Sequence, residues 1–251
     1  MLFLGVFLVY AILLSIALWR TGLRSAPPPA PPVPVATRPF PERVLVVGAT
    51  GGTGRELVKQ ALERGCTVTA LVRNPAKLRM AHPQLTVVCG DVLDAAGVSA
   101  ALRHQQAVLC ALGHKRYLGP SRILSEGTRN ILRGMQEHGV RRLVCETSLG
   151  IGGSAGRLGV WYTLFVIPVI LPFYFWDKTR QERTIAASPV EWVIVRPGAL
   201  TNTGRTGRVR HGTRLGNFVT TVRIGRADVA AFMLQQLESD VYRGRAAGVC
   251  W

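Results

Sequence analysis

Residues 44–57 read VLVVGATGGTGREL: four apolar residues, a glycine-rich turn and the start of a helical pattern. The glycines fall at Gly48, Gly51 and Gly54, a G-x-x-G-x-x-G spacing. Between a strand and a helix, the first glycine permits a tight turn, the second lets backbone approach a pyrophosphate, and the third lets helix and strand pack closely. The phosphates then sit at the helix N-terminus, where unpaired N–H groups favour negative charge. The stretch predicts a dinucleotide-binding turn, with Gly48, Thr50, Gly51, Gly52, Thr53 and Gly54 as its contacts.

Beyond the turn, apolar β-branched runs alternate with helical patterns. Strands are expected near 43–48, 67–72, 85–89, 106–111, 142–147 and 191–196, and helices near 52–64, 121–138 and 227–238. Such alternation makes a doubly wound parallel sheet with helices on both faces, an α/β Rossmann fold. The runs VLVVG, TVTALV and AVLCAL are continuously apolar, as strands buried on both faces should be. The second strand ends at Val72 and leads into Arg73-Asn74-Pro75, where an NAD site usually carries an acid for the ribose hydroxyl. A guanidinium there pairs with a 2′-phosphate instead, so NADP(H) is expected over NAD(H), with NAD as the lesser partner. After the third strand, Asp91 in Cys89-Gly90-Asp91-Val92 is placed to accept hydrogen bonds near the adenine.

With VLVVGATGGTGRELV, the VRNP turn, GDVLD, TSLG, WVIVRPG and IGRADVAAFML in this order, residues 43 to about 245 resemble an atypical short-chain dehydrogenase/reductase of the NmrA-like and flavin-reductase-like group. The resemblance implies a Rossmann fold with a small C-terminal substrate region, and NAD(P) binding. It also implies a serine after the fifth strand, here Ser148, to polarise a substrate carbonyl. The family's Tyr-x-x-x-Lys pair corresponds to Tyr174 and Lys178, 26 residues after Ser148. In that role the ammonium lowers the tyrosine pKa and holds the ribose. Tyr174 also lies in an aromatic run, Phe173 to Trp176, which core packing would equally demand. Glu182, one turn after Lys178, is expected to pair with it on the helix surface.

The 251 residues carry 31 Lys and Arg against 14 Asp and Glu, a net charge of +17, and 48% are hydrophobic, which excludes intrinsic disorder for the bulk of the chain. The basic residues form no helix stripe and no zinc-finger or RNP-like motif, so no nucleic-acid partner is expected. Six arginines and no acid lie from Arg205 to Arg226, read as a solvated hairpin of the substrate region. Five histidines without ligand spacing predict no metal, and five cysteines without a C-x-x-C pair read as small hydrophobes in a reducing compartment.

Residues 1–19 contain no charge and are long enough for one transmembrane helix, and Arg20, Arg24, Arg38 and Arg43 all follow it. Three segments are thus expected: an anchor over 1–19 held in membrane lipid, a proline-rich linker over 20–41, and an NAD(P)-binding domain with its substrate region over 42–251 in the cytoplasm. A second uncharged stretch, 158–176, is interrupted by Pro168 and Pro172, and is expected to be a buried or membrane-touching helix beside an apolar substrate. The functional expectation is a membrane-anchored NAD(P)H-dependent oxidoreductase acting on a small apolar carbonyl or quinone-like acceptor. The alternative is a non-catalytic NADP(H)-binding sensor or assembly factor. If Arg73 selects the 2′-phosphate, wild type should bind NADPH about tenfold or more tightly than NADH, and Arg73→Asp should erase the difference; titration of both cofactors checks it.

Overall fold

The computed structural model describes residues 38–251 apart from 115, 116 and 118, together with residues 5, 8–13 and 16. The chain alternates as its pattern predicts: β1 (Arg43–Val47), α1 (Gly52–Glu63), β2 (Thr67–Val72), β3 (Leu85–Cys89), α2 (Ala95–Leu102), β4 (Ala107–Cys110), α3 (Ile123–Glu137), β5 (Arg142–Glu146), α4 (Pro172–Ala186) and β6 (Glu191–Pro197). Three short strands, β7 (Ala199–Thr201), β8 (Arg210–Gly212) and β9 (Arg223–Gly225), then lead into α5 (Arg226–Gln235) and β10 (Arg245–Cys250). The main sheet runs β3-β2-β1-β4-β5-β6-β10-β8, parallel throughout except that β8 is antiparallel to β10. Strand order reverses at β1, and in such sheets ligands bind outside the carboxyl ends of the strands at that point.

Alternate residues of β1 face opposite layers. Val44 and Val46 pack with Leu57, Val58 and Ala61 of α1 and Val229 and Met233 of α5. Leu45 and Val47 pack with Leu102 of α2, Ile131 and Met135 of α3 and Ile185 of α4. All four are essentially inaccessible to water, which explains why β1 lacks polar alternation. The strand β10, RAAGVC, had no such signal because its residues are small; its place comes from parallel pairing with β6, Ala247 opposite Val195.

Buried polar residues lock α4 onto its neighbours. Asp177 accepts the N–H groups of Leu124 (2.9 Å) and Ser125 (3.2 Å) at the start of α3. Glu182 was expected on the helix surface beside Lys178, but the structure corrects this: it is buried and takes a two-pronged ion pair from Arg196 on β6, at 2.9 and 2.6 Å. Thr147 donates a further hydrogen bond to it at 2.6 Å. A desolvated carboxylate requires such partners, and the surface lysine pair would have left Arg196 alone in the core.

The expectation of a membrane anchor is overturned. Among the described residues no helix is long and apolar enough to cross a membrane. The longest, α3 and α4, have 15 residues each, about 22 Å, and both carry charges. A span needs ~20 predominantly apolar residues. The membrane-lipid partner and the single-pass location lose their basis with it. Of the expected anchor, residues 5, 8–13 and 16 are described as helical; the remainder, and the linker through residue 37, lie outside the described residues. At the end of that linker Arg38 is docked on the domain through Glu191 and through Asp240 at 3.0 Å. The second uncharged stretch forms a π-helical segment, Tyr162–Ile170, and the first turn of α4. It buries Leu158, Ile167 and Phe175 and exposes Trp161, Leu164, Phe165, Phe173 and Trp176.

Arg196→Met should leave the buried Glu182 without its cation and destabilise the fold by about 3–5 kcal/mol, whereas Arg196→Met with Glu182→Leu should recover most of that loss. Urea unfolding of the single and double variants measures both.

Candidate active site

The carboxyl ends of β1, β2, β4 and β5 open into a cleft of about 680 Å³, within the size range of cofactor sites. Its floor is the glycine turn. Gly48 has φ +83°, a left-handed conformation, and a β-carbon there would stand 2.4 Å from the Ala111 carbonyl oxygen. A β-carbon on Gly54 would stand 2.1 Å from the Gly48 oxygen, so only glycine lets α1 start this close to β1. The Gly51 N–H closes the turn on the Gly48 carbonyl at 2.9 Å. Among the described residues no side chain caps α1, whose N-terminus opens into the cleft. Uncapped N–H groups on glycine backbone are the chemistry that phosphate oxygens fit.

Of the residues expected at the cofactor, Gly48, Thr50, Gly51, Gly52, Thr53, Arg73 and Asp91 line the cleft, and Gly54 lies behind it as the packing glycine. Arg73 is exposed at the end of β2, with Lys77 close by on the same wall. Asp91 spends one carboxylate oxygen on the Leu93 N–H at 2.9 Å.

At the other end, Tyr174 and Lys178 stand one turn apart on α4 and both line the cleft. The Lys178 ammonium lies 5.5 Å from the centre of the Tyr174 ring and donates to the carbonyls of Glu146 (3.2 Å) and Leu112 (3.5 Å). Burial works against this ammonium, but Tyr174 and the neighbouring Cys145, Glu146 and Cys110 outweigh it and hold its pKa above the usual lysine range. Burial pushes the Tyr174 pKa up, and Lys178 only partly opposes it. The expected lowering of the tyrosine pKa is therefore reversed. The Tyr174 ring also packs edge-on against His114 (5.0 Å) and Tyr117 (6.0 Å). Ser148 is not among the described residues lining the cleft, and its hydroxyl donates to the Leu149 carbonyl at 2.8 Å.

Five charged or aromatic residues of the cleft had no sequence reading as site groups: Lys77, His114, Tyr117, Glu146 and Arg226. Glu146 ends a strand that is buried throughout, accepts the Thr53 hydroxyl at 3.0 Å, and has its pKa raised by burial against the pull of Lys178, Thr53 and Arg226. A charged residue closing the apolar run Leu143-Val144-Cys145 was the available signal. Arg226 lies across Gly52 and donates to Asn202 at 2.6 Å. Its signal was its place in IGRADV, a glycine and an arginine opening a helix. The other five arginines of that basic stretch are exposed.

A family model described as NAD(P)H-binding matches residues 48–240. Among curated proteins, a 3-diazoavenalumate denitrifying reductase from Streptomyces is 31% identical over 68% of this chain and 60% of its own. The photosystem II assembly factor Ycf39 from Synechocystis is 35% identical over 41% of this chain and 32% of its own. The chain spans less than two thirds of the length of the curated relatives it matches. Among solved structures, a Rossmann-fold NAD(P)-binding family protein from Shigella flexneri superposes with a TM-score of 0.62 at 25% identity, over 83% of this chain and 92% of that one.

The glycines divide into two kinds, and variants should separate them. Gly51→Val should stay folded and lose NADPH binding, because its side chain enters the phosphate position. Gly54→Val should lose at least ~1–3 kcal/mol of stability, because its side chain meets backbone. Thermal unfolding beside NADPH titration tells the two apart.

Proposed function

The chain belongs to the NAD(P)H-binding family and has the fold of an atypical short-chain dehydrogenase/reductase, and from that premise we propose that it is a non-catalytic NADP(H)-binding sensor or assembly factor. The observation that carries this reading is the state of the hydroxyls around the Tyr174–Lys178 pair. Ser148 gives its proton to Leu149, and the adjacent Thr147 gives its own to the buried Glu182. In this arrangement neither hydroxyl donates into the cleft, and a tyrosine whose pKa is raised is a poorer acid. The residues lining the other half of the cleft support the binding part of this reading. Gly48, Thr50, Gly51, Gly52 and Thr53 would cradle the pyrophosphate, Arg73 the 2′-phosphate, Asp91 the adenine end and Lys178 the ribose. In this reading residues 42–251 are the nucleotide-binding unit and 20–41 its proline-rich tether.

Helix α4 connects the cleft to a surface that a protein partner could read. Tyr174 and Lys178 line the cleft, while Phe173 and Trp176 of the same helix, with Trp161 and Phe165 before it, are exposed apolar rings. A cluster of this kind is suited to protein contact. The photosystem II assembly factor among the relatives is in keeping with such a role.

A reductase is the second reading, favoured by the Tyr-x-x-x-Lys pair lying in the cleft and by the Streptomyces reductase among the relatives. Bound NADPH would supply a hydride; Tyr174 would hold the proton and Lys178 would orient the ribose, with a small apolar acceptor in the cleft. The two readings part on one assay. The sensor should bind NADPH but oxidise none of a panel of quinones, aldehydes and ketones above background, and Tyr174→Phe should keep NADPH affinity within a few-fold. Acceptor-dependent NADPH oxidation that Tyr174→Phe lowers by on the order of 10²-fold or more would establish the reductase instead.

A further inference from the structure

The charged residues lining the cleft are unevenly placed. Arg73, Lys77 and Asp91 stand at the end bordered by β2 and β3, Arg226 lies over the glycine turn, and Glu146 and Lys178 stand at the far end. A dinucleotide whose 2′-phosphate meets Arg73 crosses the turn and lays its nicotinamide half over β4 and β5, where Glu146 ends the strand. Glu146 is thus the only carboxylate among the described lining residues of that half. It is 7% exposed, and its position is held by the Thr53 hydroxyl at 3.0 Å. Lys178 bonds to the backbone carbonyl of Glu146, and Glu146 lines the cleft with the charges of Lys178 and Arg226 acting on its carboxylate.

The two forms of the cofactor differ in charge at that end alone. The oxidised nicotinamide ring carries a positive charge that the reduced ring lacks, while the phosphates are common to both. We propose that Glu146 sets the oxidation-state preference of the cleft, favouring NADP⁺ over NADPH by facing the ring's positive charge with a carboxylate. This rests on the NADP(H)-binding reading and deepens it, because a sensor must tell the two forms apart and not merely hold them. The physics is that of a partly desolvated ion. Burial raises the cost of the Glu146 charge, Thr53, Lys178 and Arg226 offset only part of it, and a further cation arriving beside it relieves more. Without Glu146, the charged groups of the described lining residues there would be the Lys178 ammonium and, over the turn, the Arg226 guanidinium, both of which repel the oxidised form. A residue that only braced the turn through Thr53 would change the affinity of both forms equally.

The test is the ratio of dissociation constants for NADP⁺ and NADPH, measured by calorimetry on the full chain in wild type, Glu146→Gln and Glu146→Asp. Glu146→Gln keeps the shape and removes the charge, and it should shift the ratio about tenfold toward NADPH, the effect of an opposite charge a few ångströms away. Glu146→Asp keeps the charge and should stay within about threefold of wild type. Glu146→Leu, an apolar replacement that a buried strand end accommodates, provides the same reading should the glutamine variant not fold. A ratio that moves less than twofold in the charge-removing variants, or both affinities falling together, overturns the proposal and leaves the sensor reading standing. A wild type that binds neither form overturns both. A shifted ratio in a protein that also oxidises NADPH with an acceptor supports the Glu146 assignment and removes the sensor reading.

Discussion

At the first strand–helix turn, the Cα of Gly54 lies so near the Gly48 carbonyl that a β-carbon would stand 2.1 Å from the oxygen. This close approach sets the height of α1 over the sheet, and the neighbouring parts of the site follow from that height. It brings the Thr53 hydroxyl to Glu146 at the end of β5. It also seats α5 against α1, where Gln60 donates to the Ala227 carbonyl at 2.9 Å and Arg226 falls across Gly52. A bulkier residue at position 54 would lift the helix and separate all three contacts at once.

The second organising element is the polar side of α4. Asp177 caps α3, Lys178 bonds to two backbone carbonyls, Gln181 donates to Thr128 at 3.0 Å, and Glu182 holds Arg196 and Thr147. Four buried polar residues in six positions would be costly if unpaired; joined to α3, β5 and β6, they specify one placement of the helix. The same network commits the hydroxyl of Thr147, a residue at the cleft wall, to the buried Glu182. Tyr174 is placed by this helix, and Phe173 and Trp176 are turned outward by it.

The net charge of +17 has a more local meaning than its size suggests. Arg38 and Arg142 converge on Asp240 and brace the chain at the opposite end of the strands from the cleft. Of the six arginines from Arg205 to Arg226, one lies across the phosphate turn and five face solvent. Among the described residues lining the cleft, two carboxylates, Asp91 and Glu146, stand against four cations, Arg73, Lys77, Lys178 and Arg226.

Local sequence determined the turn, six of the seven parallel strands of the main sheet and helices α1, α3 and α5, because glycine spacing and apolar periodicity act within a few residues of one another. It likewise marked the Tyr174–Lys178 pair, since 3.6 residues per turn place positions four apart on one face. Other features depended on contacts across the chain. Glu182 read as a surface partner of Lys178 until Arg196, 14 positions away, was seen to share its burial. Glu146 and Arg226 gained meaning only when Thr53 and Gly52 were found beside them. Hydrophobic patterning reports which face of an element is buried; which charged group meets which partner is settled by packing between elements distant in the chain, where desolvation makes every pairing selective.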